Sequence, residues 1–409
     1  MRFGAAEGQD YTLAGSASGP VFGENGLGRF SFRLQDREGQ LRNEYLGGEY
    51  VDFKESAAFR GRLLFTPSDE LTIDLRAQYL DQDGGSGYFM PGSDFFLPLP
   101  PPNPPIIVDV PEYEIQANRI GESFVDSSEV SAKIDYDLGW ATLTSITSYT
   151  EVDSGNDQDL DQTFVEAIDI IVIDESETFA QEFRFVSPDD RSLRWVAGVS
   201  WFSQDRFRSL GTTFLGNVVP PAAQDLKLED LAVFGNLSYD LSDAMELTLA
   251  FRWDEETPED VTQARSATFS EFQPKASLAY RFDENLLGYV TIGKGFRAGG
   301  FNNLAPGSNF QPGFDRESLV SYETGIKGTA WDGRLRAGLS LFFIDYTDQQ
   351  YFLFDQTGTQ ANINVPKSEI AGGELELAAQ VTDKLLLNLG VAFTDSEIVE
   401  YEDIQGVLV

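Results

Sequence analysis

The chain has 409 residues, with 29 Lys plus Arg against 67 Asp plus Glu and a formal net charge of −38. That balance excludes a general nucleic-acid binder, which needs a basic face to meet phosphates. Cys and His are both 0, which removes disulfides, thiolate and imidazole metal sites, cysteine nucleophiles and the Ser–His–Asp triad; neither an enzyme activity, a cofactor nor a resident metal is expected.

Hydrophobic content is 41 %, with 32 Phe and 15 Tyr, enough to bury a large apolar surface. No apolar run reaches the roughly 18 residues of a spanning helix. A spanning β-barrel is compatible with this, because its strands hide their apolar content in alternation. The first eight residues lack the apolar stretch of a signal peptide, so the chain is expected to be a mature form or to begin partway into a longer gene.

In chain order, period-2 alternation predicts sixteen strands, near 2–20, 26–38, 53–66, 70–82, 122–137, 140–153, 175–187, 192–208, 226–240, 244–255, 267–282, 285–298, 318–331, 333–348, 366–381 and 384–396. Leu71, Ile73 and Leu75 alternate with Thr72, Asp74 and Arg76. Leu247, Leu249 and Phe251 alternate with Thr248, Ala250 and Arg252, and Leu335, Ala337, Leu339, Leu341 and Phe343 with Arg334, Arg336, Gly338 and Ser340. Successive side chains on a strand point to opposite faces, so each segment has one greasy and one wetter face. The segments near 140–153 and 285–298 alternate poorly.

Connection lengths also alternate. Short turns are expected at 67–69, 138–139, 188–190, 241–243, 283–285 and 332–333, with longer connections near 83–121, 154–174, 209–225, 255–267, 299–317 and 349–365. A sheet tight at one end and decorated at the other is the pattern of outer-membrane barrels. Phe65, Tyr136, Phe185, Tyr239, Tyr280 and Trp331 sit just before short turns and Trp140 just after one, which predicts an aromatic ring at the lipid–water interface.

Several places could carry chemistry. The wet faces hold Arg60, Arg62, Arg76, Arg252, Arg334 and Arg336, with Lys133, Lys275, Arg281, Lys327, Asp74, Asp135 and Glu323. They are expected to line a lumen, although any wide barrel has a polar interior. The segment 83–121 carries Tyr88, Phe89, Phe95 and Phe96 ahead of a proline-dense run; it reads either as an external ligand-contact surface or as a stiff spacer. The stretch 134–183 has no Lys or Arg. Its Asn156, Asp157, Asp159 and Asp161 begin like a calcium loop, but Gln162 and Ile168 stand where Gly and Glu are needed, so a solvated acidic loop is the simpler reading. The glycine-rich run 293–303 enters a loop without a following helix, so it is no nucleotide loop. Its Arg297, Asn302 and Asn303 either contact ligand near a barrel mouth or mark a strand thinning at the rim.

These residues carry a resemblance. Tyr289–Asn302 (YVTIGKGFRAGGFN), Ser321–Gly328 (SYETGIKG) with Trp331–Arg336 (WDGRLR) and Leu341–Asp348 (LFFIDYTD), Ser368–Leu377 (SEIAGGELEL) and Leu63–Leu71 (LLFTPSDEL) resemble strands of TonB-dependent outer-membrane receptors. The resemblance implies an antiparallel up-and-down transmembrane barrel of twenty-two strands with a plug in its lumen. It implies uptake of a scarce ligand, most often a ferric siderophore, driven by TonB. Outer-membrane lipid and lipopolysaccharide would surround the barrel, and its acidic loops would meet divalent cations there. With sixteen strands expected, no plug in view, and 400–409 reading as a loop start, residues 1–409 are expected to be a partial barrel. Two other readings stay open from the residues: a sixteen-stranded diffusion porin, and a secreted β-sheet adhesin or carbohydrate-binding protein.

Overall fold

The computed structural model describes residues 2–6, 9–87, 95–97, 106–108, 114–304, 307–355, 359–401 and 407–408. Seventeen strands of its main sheet follow one another along the chain. They are β1 Arg2–Ala6, β2 Asp10–Pro20, β3 Gly26–Arg37, β4 Lys54–Phe65, β5 Leu71–Gly85, β6 Glu122–Asp137, β7 Thr142–Asp159, β8 Ile168–Val186 and β9 Leu193–Phe214. Then come β10 Asn217–Ser242, β11 Met245–Asp260, β12 Phe269–Asp283, β13 Leu286–Arg297, β14 Glu317–Ala330, β15 Leu335–Asp355, β16 Gln360–Thr382 and β17 Leu385–Glu400. Each pairs antiparallel with the next. The short connections allow only antiparallel hairpins, and across the three long ones, 38–53, 86–121 and 298–316, the chain also returns to the adjacent strand. Among the described residues no pairing joins β17 back to β1, and β17 is exposed along its whole length.

The count differs from sixteen because the expected first strand, 2–20, is a hairpin. Gln9, at φ +52°, stands just ahead of β2 and β1 folds back onto β2. Two connections expected to be long are instead strand. At 209–225 a two-residue loop, Leu215 and Gly216 with φ +47° and +74°, joins β9 to β10, the geometry a tight hairpin requires. Pro220 and Pro221, which cannot donate to a ladder, fall in that stretch, and the ladder passes over both at a bulge. At 349–365, β15 continues to Asp355 and β16 begins at Gln360, the ladder passing over Asp348 and Pro366. All six expected short turns lie at one end. Gly139 (φ +80°) and Gly333 (φ +79°) take left-handed positions in two of them.

In the main sheet six glycines are covered by the aromatic ring directly across the ladder: Gly15 by Phe32, Gly155 by Phe124, Gly198 by Phe234, Gly235 by Phe251, Gly325 by Tyr289 and Gly372 by Phe342. A Cβ on any of these glycines would lie within 2.8 Å of the ring. The ring covers the missing side chain and pins the register, a device suited to curved sheets.

The longer connections pack by themselves. Arg42–Asn43 pairs with Glu49–Tyr50 and with Glu114–Ile115, enclosing a small core of Val51, Ile115 and Ala117. Phe310, Ala361 and Ile363 form a second core with Leu304, Tyr351 and Leu353.

Candidate functional site

Residues directly opposite each other on neighbouring strands share a face. From Arg76 the register runs through Ser131, Ser148, Ala180, Phe202, Asp230 and Glu256, so β5 to β11 present one common polar face. Arg60, Arg62, Arg76, Arg252 and Arg336 all lie on it, with Lys133, Lys275, Arg281, Lys327, Asp74, Asp135 and Glu323. Arg334 does not lie on a strand. It closes the turn from Trp331 by its backbone N–H and pairs with Asp383 at 3.4 Å.

The opposite face carries an apolar band with two chemically distinct margins. At the short-turn end Trp140 stacks on Phe185 and Trp195, with ring centroids 6.0 and 6.1 Å apart. At the other end the same outward positions change to carboxylates: Asp81, Asp126, Glu151, Glu177, Asp205, Glu229, Glu255, Asp345 and Glu369 on nine strands. β4 follows the same order: from the short-turn end, Phe65, Leu63, Phe59 and Ala57 give way to Glu55. About nine residues at ~3.4 Å each span a tilted strand's share of an apolar band ~25 Å tall.

The expected ligand residues fare differently. Tyr88 and Phe89 lie outside the described residues. Phe95 and Phe96 belong to Phe95–Leu97, whose backbone pairs with Ile106–Val108. Arg297 is exposed and lines a cavity of about 420 Å³ with Gln204, Arg206, Glu256, Phe296 and Phe301. Arg206 is held there by Asp174, its Nε donating over 2.7 Å. Asn302 is buried. Its Nδ2 donates to the carbonyls of Gln311 (3.0 Å) and Asn362 (2.8 Å), and its Oδ1 accepts from the Asn362 N–H (2.9 Å). The side chain therefore ties the loop at Gln311 to the start of β16. Asn303 is exposed, and its Oδ1 accepts from Gln263 at 3.3 Å. Arg206 was missed in the sequence because it reads as one more wet-face residue, and only the fold brings it to the same cavity as Arg297.

Within the acidic stretch, Asp159, Asp161 and Asp169 fold inward instead of into solvent, while Glu151, Glu166 and Glu177 stay exposed. Asp159, Asp161 and Asp169 are 2 % exposed. Asp159 Oδ1 accepts the N–H groups of Asp161 and Gln162, and Asp161 Oδ2 those of Ala167 and Ile168. Arg119 pairs with Asp157 and, at 3.8 Å, Asp169. Burial pushes the Asp159 carboxyl well above its ordinary range, and the charges of Asp161 and Asp169 add to this. The calcium-like spacing thus serves a turn built on backbone amides, and no three carboxylates among the described residues are arranged to hold a metal.

Comparison with known proteins fits this two-faced sheet. The ferric yersiniabactin uptake receptor FyuA of Yersinia pestis superposes with TM-score 0.77 at 13 % identity, over 97 % of this chain and 60 % of that one. The pyoverdine outer-membrane receptor FpvA of Pseudomonas aeruginosa PAO1, bound to pyoverdine, gives 0.75 at 15 % identity, over 98 % and 62 %. The ferric-pyoverdine M114 receptor PbuA of Pseudomonas sp. strain M114 is 25 % identical over 203 residues, 46 % of this chain and 24 % of that protein. The chain therefore spans about a quarter of that curated relative and about three-fifths of these solved structures. Residues 24–407 match the family described as TonB dependent receptor-like, beta-barrel, and the chain belongs to that family of outer-membrane proteins.

Proposed function

We propose that this barrel serves TonB-driven uptake of a ferric siderophore, with the polar face lining the lumen and ligand captured at its loop end. The continuous two-faced register carries the reading. One face alone is apolar enough for lipid, and the other brings Arg206 and Arg297 together with Phe301 around a cavity at the loop end. Cations and an aromatic ring in one concave site suit an anionic, partly aromatic chelate. A plug lodged against the polar face would couple the barrel to TonB, and lipopolysaccharide would meet the outer carboxylate margin through divalent cations.

The absence of cysteine allows a clean test. Single cysteines at Phe30 and Ser31, adjacent residues on opposite faces of β3, are labelled in outer-membrane vesicles with a membrane-impermeant maleimide. Ser31→Cys should react and Phe30→Cys should stay protected by lipid; the reverse pattern sinks the assignment of faces. Binding of ferric pyoverdine is then measured for Arg297→Gln. At least a tenfold loss is expected, about 1.4 kcal/mol, and unchanged affinity removes Arg297 from the site.

A further inference from the structure

Charge is not spread evenly over the polar face. On the three adjacent strands β3, β4 and β5 it carries Arg29, Arg33, Arg37, Lys54, Arg60, Arg62 and Arg76 against a single carboxylate, Asp74. This concentration occurs in a chain whose net charge is −38. Arg29, Arg62 and Arg76 stand directly opposite one another in one rung. Arg60 and Arg33 occupy the next two rungs, and Arg37 faces Lys54 further on. From the first rung to the last is eight residues, about 27 Å along the strand.

The one carboxylate is already engaged. Asp74 is 6 % exposed and accepts from Arg62 Nε (2.8 Å), Arg62 Nη2 (2.8 Å) and Arg76 Nη2 (2.7 Å). Arg37 is turned onto the Asp52 carbonyl. Arg29, Arg33 and Arg60 are exposed and form no ion pair with any described residue. Like charges on facing strands repel, so the sheet gains nothing from this arrangement. Strands β10 to β12 show the opposite balance, with seven carboxylates on the polar face against Arg252, Lys275 and Arg281.

Resting on the reading of the polar face as the lumen, we propose that β3–β5 form an anion lane. Its guanidiniums, placed at successive depths, hand carboxylate- or phosphate-bearing solutes from the loop end to the short-turn end. Unpaired guanidiniums recognise both oxyanions in bidentate fashion. A lane, unlike a single pocket, needs cations repeated along the strand direction, as they are here.

The test uses single cysteines at Ser31, flanked by Arg29 and Arg33 and opposite Arg60, and at Thr248, beside Glu246 and opposite Ser238. Each is labelled in outer-membrane vesicles with an anionic methanethiosulfonate and a cationic one of similar size. The anionic-to-cationic rate ratio should be on the order of tenfold higher at Ser31→Cys than at Thr248→Cys. It should fall to the Thr248→Cys value in the added background R29Q/R33Q/R60Q. High salt should collapse the ratio with no substitution beyond the reporter cysteine, which covers a background that fails to fold. Citrate and inorganic pyrophosphate are added separately, and protection of Ser31→Cys by one or both tells which oxyanion is preferred. Equal ratios at the two positions, or protection by neither solute, overturn the lane while leaving the lumen reading standing. Failure of both reagents to reach Ser31→Cys overturns both.

Discussion

Strands β3–β5 and β10–β12 are built to one plan and charged in opposite senses. Each sector has an apolar outward set and a polar inward set. In the first, seven cations meet one carboxylate, and in the second seven carboxylates meet three cations. In the first sector Asp74 is clamped by two arginines. In the second, Asp254 accepts from Arg252 Nε (2.6 Å) and from Gln273, with Arg252 Nη2 also 3.7 Å from Asp230. Alternation decides which face a residue takes. Register decides which charges become neighbours, and so whether a sector attracts anions or repels them.

Substitutions at adjacent positions should break this comparison most sharply. Leu249→Arg puts a guanidinium on the apolar face and should cost about 2–4 kcal/mol near the midplane. Thr248→Arg, one residue away, enters the acidic polar face and should be near neutral. Denaturant unfolding in lipid measures both, and equal costs would falsify the assignment of faces.

Next in size are the glycine–aromatic pairs that hold the sheet in register around the two sectors. Gly325→Val should drive the Tyr289 ring off its seat, with the Cβ only 2.7 Å from it, and loosen the Tyr289–Glu323 hydrogen bond. Overpacking of this kind costs roughly 1–3 kcal/mol. Gly61, which has open space around its Cβ position, serves as the control, and Gly61→Val should change stability far less.

Neutralising one carboxylate in each sector should give a smaller, divergent effect. Asp74→Asn removes the anion that Arg62 and Arg76 share. With those guanidiniums half exposed, the loss should be about 1–2 kcal/mol. Asp254→Asn also relieves repulsion from Asp230 and Glu256, so its net effect should be smaller. Equal losses in the same unfolding assay would mean that the surrounding charge does not matter.

The smallest effect concerns the loop at 160–167. Because folding raises the Asp159 pKa, burial of its charge costs nothing while the group is protonated in both states. The cost grows as pH rises above the ordinary carboxylate range towards the raised value. Hydrogen exchange of 160–167, corrected for intrinsic rate, should therefore be slower at pH 5 than at pH 8. Faster exchange at pH 5 would show that the amide contacts to Asp159 outweigh its burial.

The sequence by itself determined the two-faced strands, the tight end of the sheet and the polar placement of Arg60, Arg62, Arg76, Arg252 and Arg336, because a period of two is a local property of the chain. It misled at 2–20, where a turn at Gln9 splits the one expected strand into a hairpin, and at 209–225 and 349–365, where expected loops are strand and the ladder passes over local irregularities. It was weak in β7, where Ile146 and Val152 fall on the polar face and pairing with β6 and β8 sets the register instead. Only the tertiary structure brought Arg206 and Arg297 to one cavity, occupied the Asn302 amide with the carbonyls of Gln311 and Asn362, and lined up Arg29, Arg62 and Arg76 in one rung. Those relations depend on which residues meet across strands and loops, and no stretch of chain contains that information alone.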